Sequence, residues 1–342
     1  MNKNQHTEDG AGAPSEKTPG DAATDVAAER ELALSCCYLT GATASGKSSV
    51  AIELSELLDA EIISLDSMAI YRGMDIGTAK PEPQQQKQVP HHLIDIVDPV
   101  ESFSVSQYRE AALEKIREIQ CRGKSVLFVG GTALYLKALV RGLFDGPPAN
   151  WDFRKQIEAE LEDCSSDELF KRLESFDPLS AHKLHPNDRR RIIRALEVYY
   201  STGKPISHWQ MEFDQATAPE SCNVFTLRHP RPVLHERIEQ RVHQMFEKGL
   251  IDEVAGLIEK WNKLGHTASQ AVGYREVIDH LNGDTDFETT FEKVLVRTRR
   301  FARHQETWFR GLTECRIFDI DQQQTESEIA KQLYDQIQAQ SV

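Results

Sequence analysis

Two rhythms of apolar and polar positions alternate along the first part of the chain. Short apolar runs at Cys36 to Leu39, Glu61 to Leu65, His92 to Ile96 and Ser125 to Val129 read as strands. The last of these is almost unbroken, as expected of a strand buried on both faces. Between the runs the period lengthens to that of a helix. Val50, Leu54, Leu57 and Leu58 form one stripe. Tyr108, Ala112, Ile116 and Ile119 form a second, opened by a Ser104/Gln107 capping box and ended at Gly123. A third helix is expected over Ala133 to Val140. Strand and helix in alternation predict an α/β fold, a doubly wound parallel sheet flanked by helices.

The rhythm changes after Asp145. Gly146, Pro147 and Pro148 punctuate the chain, and only helical patterns follow up to Val224. Leu169, Phe170 and Leu173 mark one helix. Ile192, Leu196 and Tyr199 mark another, with Asn187 as its expected N-cap and Gly203 and Pro205 as its stop. Val224 to Leu227 then returns to the sheet. A helix from Pro232 carries the stripe Leu234, Ile238, Val242 and Met245, and a short one runs from Ile251 to Trp261. A long one from Phe287 to Trp308 has Phe291, Val294, Thr298 and Phe301 on one side. The expected organisation is a disordered acidic tail (1–33) and a catalytic core (34–145 and 216–315) interrupted by a helical insertion (146–215). A peripheral C-terminal segment (316–342) completes it.

Composition narrows the class. The chain has 342 residues, 39% hydrophobic and 27% charged, and no apolar run long enough for a membrane span. The first thirty residues lack the apolar stretch of a signal peptide. Six cysteines without C-x-x-C spacing argue against zinc and disulfides, and for a reducing cytoplasm. A net charge of −14 does not advertise a polyanion partner. Part of that acidity is peripheral, since residues 1–31 hold seven acidic and three basic side chains. Binding of a polyanion would therefore rest on local basic patches.

Chemistry is concentrated in Gly41, Ala42, Thr43, Ala44, Ser45, Gly46, Lys47 and Ser48, which fit G-x-x-x-x-G-K-[ST] between a strand and a helix. Such a turn wraps backbone amides around phosphate at a helix N-terminus. Lys47 would reach a phosphate, and Ser48 would offer its hydroxyl to Mg²⁺. The competing reading is a glycine-rich turn that fits by chance. Asp66 closes the next strand, at the crevice where open α/β sheets bind ligands. It suits a metal contact or a general base, against the alternative of an ordinary cap. Gly130, Gly131 and Thr132 offer amides and a hydroxyl at the same edge, or simply a tight turn. Arg189, Arg190, Arg191 and Arg194 make a basic patch on the insertion, and Arg297, Arg300 and His304 a stripe on the long helix. Arg237 and Arg241 are spaced i, i+4 on the helix after Pro232. Arginines so placed can grip phosphate, or merely form solvated faces.

Taken in order, Gly41 to Ser48, Ile63 to Tyr71, Gly73 to Pro81, Leu127 to Thr132, His185 to Asp188, Arg194 to Val198, Arg237 to Arg241 and Gln270 to Arg275 resemble the tRNA dimethylallyltransferase (isopentenyltransferase) family in its bacterial form. The resemblance spans about residues 36–312. It implies transfer of the dimethylallyl group from dimethylallyl diphosphate to N6 of the adenosine 3′ of the anticodon, in tRNAs reading codons that begin with U. The phosphate loop would then hold a departing diphosphate with Mg²⁺ at Ser48. Asp66 would be the general base, with Thr43 and Arg241 the other catalytic residues. The implied contacts to the tRNA anticodon stem-loop are Asp66, Ser67, Met68, Ala69, Thr132, Arg154, Arg190, Arg191, Ile192, Ile193, Arg194, Gln270, Ala271, Val272, Gly273, Tyr274 and Arg275. A cytoplasmic monomer without a membrane role is implied as well. Ala42 departs from the family, where proline is common. The alternatives are an adenylate dimethylallyltransferase, which has no need of an arginine-bearing insertion, and a P-loop kinase of a small metabolite.

Overall fold

The apolar runs pair into one sheet. The computed structural model describes residues 19–143, 146–147, 149–160, 166–212, 216–321 and 323–340. The strands are β1 (Cys37–Gly41), β2 (Ala60–Ser64), β3 (His91–His92), β4 (Ser125–Gly130), β5 (Asn223–Arg228) and β6 (Arg316–Asp319). Their order across the sheet is β3-β2-β4-β1-β5-β6, and every adjacent pair is parallel.

Parallel neighbours need crossovers, and helices supply them. Helix α1 (Pro19–Leu34) precedes β1, and between β1 and β4 lie α2 (Lys47–Leu57), α3 (Pro83–Gln88) and α4 (Val105–Cys121). Between β4 and β5 lie α5 (Ala133–Val140), α6 (Trp151–Glu160), α7 (Ser166–Phe176), α8 (Pro178–Lys183), α9 (Arg189–Thr202) and α10 (Ile206–Glu212). After β5 come α11 (Arg231–Glu247), α12 (Leu250–Trp261), α13 (His266–Ser269), α14 (Tyr274–Leu281), α15 (Phe287–Arg310) and α16 (Glu326–Gln340).

Alternate strand residues feed opposite faces, so one apolar run serves two cores. Tyr38, Ile63, Val126 and Phe128 pack with α4, α5 and the end of α1. Leu39, Ile62, Leu127 and Phe225 pack with α2 and α16. The helices between α5 and β5 hold a core of their own, built on Ile157, Leu169, Leu173, Ile192, Ile193 and Leu196. Beside it Glu197 is fully buried. It accepts two hydrogen bonds from Arg154 (3.0 and 2.8 Å), one from Arg194 (2.5 Å) and one from the Asn150 amide (2.6 Å). Burial works against this charge, but the bonds from Arg154 and Arg194 outweigh it and hold the carboxyl below its ordinary range.

Several expectations are corrected. Residues 1–18 of the expected tail lie outside the described residues, but 19–34 form α1. Ala33 is buried, Glu29 pairs with Arg109 (2.9 Å), and Arg30 donates to the Val140 carbonyl (3.0 Å). The many alanines that read as tail composition are strong helix formers. The third strand is only two residues long, because Leu93 and Asp95 adopt positive φ and break it. The N-cap of α9 is Asp188, whose carboxylate accepts from the Arg191 amide, and not Asn187. Phe301 points away from the core and is 43% exposed. The C-terminal segment is not peripheral. Strand β6 extends the sheet, and Ile329, Ala330, Leu333 and Ile337 of α16 cover α2. Leu333→Ala should therefore cost about 2–5 kcal/mol in urea unfolding. A change within ~0.5 kcal/mol would return the segment to the surface.

Candidate active site

Since β2, β4 and β1 are parallel neighbours, the loops leaving their carboxyl ends stand side by side. The phosphate loop leaves β1, Asp66 to Ala69 follow β2, and Gly131 and Thr132 follow β4. Together with α11, α14 and α15 they enclose a cavity of about 1130 Å³.

The loop's shape follows from its glycines. Gly41 has φ 143°, and a Cβ there would come within 2.7 Å of the Leu227 carbonyl oxygen on β5. Gly46, at φ 84°, turns the chain into α2. Lys47 folds back to donate to the carbonyls of Gly41 (3.0 Å) and Ala42 (2.6 Å). Burial, with Arg241 adding to it and Asp66 opposing, pushes its ammonium down to about 7. Arg241 reaches the same cavity from α11 and donates to the Thr78 carbonyl (3.3 Å). Its Nε is shielded from water, and no described residue accepts from it. Burial lowers the pKa of this guanidinium, with Asp66 again opposing. Two cations thus face one carboxylate at the loop, an arrangement that favours a bound anion.

Asp66 is held for work on one side. Its Oδ1 accepts from the amides of Met68 (2.8 Å) and Ala69 (3.4 Å), while no described residue donates to Oδ2. Thr132 supports the same turn by accepting from the Ser67 amide (3.0 Å). A carboxylate fixed through one oxygen, with the other free in a cavity, can accept a proton from a bound substrate.

Two supports of the site were not legible in the sequence. Gln305, buried on α15, accepts from the Thr43 amide (2.8 Å) and donates to the Gly131 carbonyl (2.9 Å). One side chain therefore fastens the phosphate loop to the turn after β4. Glu253 on α12 accepts from the amides of Asp75 (3.0 Å), Ile76 (2.7 Å) and Gly77 (3.3 Å), and from the Tyr274 hydroxyl (2.6 Å). The Tyr274 ring leaves Gly77 no room for a side chain, since a Cβ there would lie 2.4 Å from it. A carboxylate facing several amides leaves no spacing pattern in a sequence, and neither does a lone Gln.

Of the residues expected at the site, Thr43, Lys47, Ser48, Asp66, Ser67, Met68, Ala69, Thr132, Arg190, Arg241, Gln270, Ala271, Val272, Tyr274 and Arg275 line the cavity. Arg300, Phe301 and His304 of α15 join them. The other loop residues form the turn behind Lys47. Arg154 and Arg194 are engaged with Glu197, and Arg191 is exposed beside Asp188 (3.3 Å). Ile192 and Ile193 are 0% and 4% exposed in the insertion core. Their side chains cannot meet a ligand, because a stretch taken whole from a helix always includes its buried face.

The oxygen donors near the loop also bear on a metal. No cluster of three His, Cys, Asp or Glu side chains that could hold an ion occurs among the described residues. The Ser48 hydroxyl at the cavity wall fits a cation held by one protein oxygen with phosphate and water completing the shell, which is how Mg²⁺ is usually bound.

Fold and site together define a P-loop α/β protein whose phosphate-loop turn opens onto the Asp66 carboxylate in one cavity. The family model for IPP transferase matches residues 69–312. A tRNA dimethylallyltransferase of Rhodopirellula baltica is 49% identical over 286 residues, covering 81% of this chain and 86% of that protein. One from Thermotoga petrophila is 46% identical over 280 residues, covering 82% and 90%. The structure of a tRNA isopentenylpyrophosphate transferase from Bacillus halodurans superimposes with TM-score 0.64 at 37% identity, over 90% of this chain and 98% of that one. A eukaryotic dimethylallyltransferase acting on tRNA gives TM-score 0.70 at 29% identity, over 87% and 77%. The chain belongs to the tRNA dimethylallyltransferase (IPP transferase) family.

The position of Lys47 predicts a pH dependence. An anion at the loop binds the protonated amine, so above about pH 7 binding must take up a proton. Affinity for inorganic diphosphate should then fall by up to about tenfold per pH unit between roughly pH 8 and 9. Calorimetry in buffers of different ionisation enthalpy would detect that uptake, and a pH-independent affinity without uptake would contradict it.

Proposed function

We propose that this protein transfers a dimethylallyl group from dimethylallyl diphosphate to N6 of an adenosine beside the anticodon of tRNA. The observation that carries the reading is the pairing of two cations, Lys47 and Arg241, with Asp66 across one cavity. The loop amides, Thr43, Lys47 and Arg241 take the diphosphate. The C–O bond to it breaks, and the negative charge that develops on the leaving oxygen falls among fixed positive groups. The allylic carbon forms its bond to N6, and Asp66 removes the proton that the amine must lose. Ser48 would hold Mg²⁺ beside the diphosphate, and the ion would supply further charge neutralisation. The adenine must leave its stack to enter so deep a cavity, as bases do for enzymes that modify them.

The partner reading rests on the insertion. Arg190 lines the cavity, and Arg191 is exposed on the next position of α9. These two suit RNA phosphates, while Arg154 and Arg194 present whatever part of their guanidinium Glu197 leaves free. One tRNA per monomer suffices for this geometry. No described helix is long and apolar enough to cross a membrane.

The decisive assay incubates the protein with labelled dimethylallyl diphosphate, Mg²⁺ and either unmodified tRNA or AMP. Label should appear in tRNA. Label confined to AMP would make the protein an adenylate dimethylallyltransferase, and phosphate transfer from ATP to a small metabolite would make it a kinase. Asp66→Ala should abolish transfer while tRNA binding persists, and surviving transfer would place the base elsewhere. Arg190→Ala should weaken tRNA binding across sequences and lower its salt slope by about 1. An unchanged slope would leave Arg190 a solvated residue.

A further inference from the structure

Trp151 is the first residue of α6, and its side chain remains 49% exposed. Single exposed apolar residues are common and need no explanation. This one is held. The Arg154 guanidinium lies over the indole, 4.9 Å from the ring centroid. That guanidinium is itself fixed by its two bonds to buried Glu197, which also holds the amide of Asn150, the preceding residue. Against the ring lies His266, edge-on with centroids 6.2 Å apart. His266 belongs to the cavity wall, as does Arg190 of the insertion. The indole therefore stands at the cavity rim, where insertion meets core, with a cation behind it and about half its surface open.

We infer that Trp151 is a stacking platform for one unpaired nucleobase of the RNA, a neighbour of the base that enters the cavity. The inference rests on the tRNA reading above and adds a contact to it. Drawing one base into a deep cavity unstacks its neighbours, and proteins commonly receive such splayed bases on aromatic rings. The fixed orientation matters, because a ring already ordered loses little entropy when a base settles on it. Arg154 lies against the platform and Arg190 of the same insertion lines the cavity, and both residue types suit the adjoining phosphates. An isoprenoid would find this ring outside the cavity.

The test uses anticodon stem-loops with an abasic site at each loop position in turn, assayed at one salt concentration. The enzymes are the wild type, Trp151→Ala and Trp151→Phe, with melting temperatures checked for each. Trp151→Ala should raise KM for the intact stem-loop about fivefold or more, within the range for loss of one base stack. KM for dimethylallyl diphosphate should not move, and Trp151→Phe should recover most of the loss. One abasic stem-loop should be impaired with the wild type yet lose nothing further with Trp151→Ala. That non-additivity identifies the stacked base. Equal KM values, or losses that add at every loop position, would overturn the inference. The latter pattern would mean that Trp151 merely holds Arg154. If the wild type fails to prenylate even the intact stem-loop, the failure belongs to the tRNA reading and not to the platform.

Discussion

Excess positive charge at the phosphate loop is the constraint on which the rest of this structure depends. Lys47 and Arg241 come from elements far apart in the chain, α2 and α11, and burial works against the charge of both. Asp66 opposes that effect at each. The cost of keeping two such cations is offset only when an anion joins them, so the site is arranged for a ligand with more than one negative charge. A diphosphate meets that requirement.

Holding the cations in place requires elements far apart in sequence. Alone, the phosphate loop would be a turn between β1 and α2. Gln305 fastens its Thr43 amide to the Gly131 carbonyl, so α15 fixes the distance between the loop and the end of β4. Glu253 does the same for the 75–77 backbone, and Arg241 donates to Thr78 in that loop. Both supports use a polar side chain, buried in Gln305 and half-buried in Glu253, that bonds mainly to backbone groups. Such bonds specify one arrangement of loops, because an unpaired partner would be costly.

This explains what the sequence could reveal. The Gly41 to Ser48 stretch was legible because its function is local: glycines, lysine and serine act within one turn. Asp66 was legible because β2 follows α2 directly, and sheet topology then places its end near β1. Gln305 is 262 positions from Thr43, and a Gln on a helix carries no mark of its partner. The first helix is hidden in the sequence because its alanines resemble a low-complexity tail, and the burial of α16 because a polar composition masks the Ile329, Leu333 and Ile337 stripe. Ile192 and Ile193 adjoin the exposed Arg190 and Arg191 in sequence but lie on the buried side of the same helix.

The insertion shows why a net charge of −14 is compatible with an RNA substrate. Its acidic residues are not spread evenly against its arginines. Glu197 is buried, and it takes up charge from Arg154 and Arg194 where solvent does not reach. Arg190 and Arg191 keep theirs at the surface. Because salt largely screens charges more than about 8–10 Å away, a phosphate at the cavity rim responds to those near cations far more than to the acidic remainder of the chain. Glu197 thereby does two things at once: it locks the helix that carries the exposed arginines, and it orients Arg154 beneath Trp151. The rigidity of the insertion and the geometry of its rim follow from the same buried carboxylate.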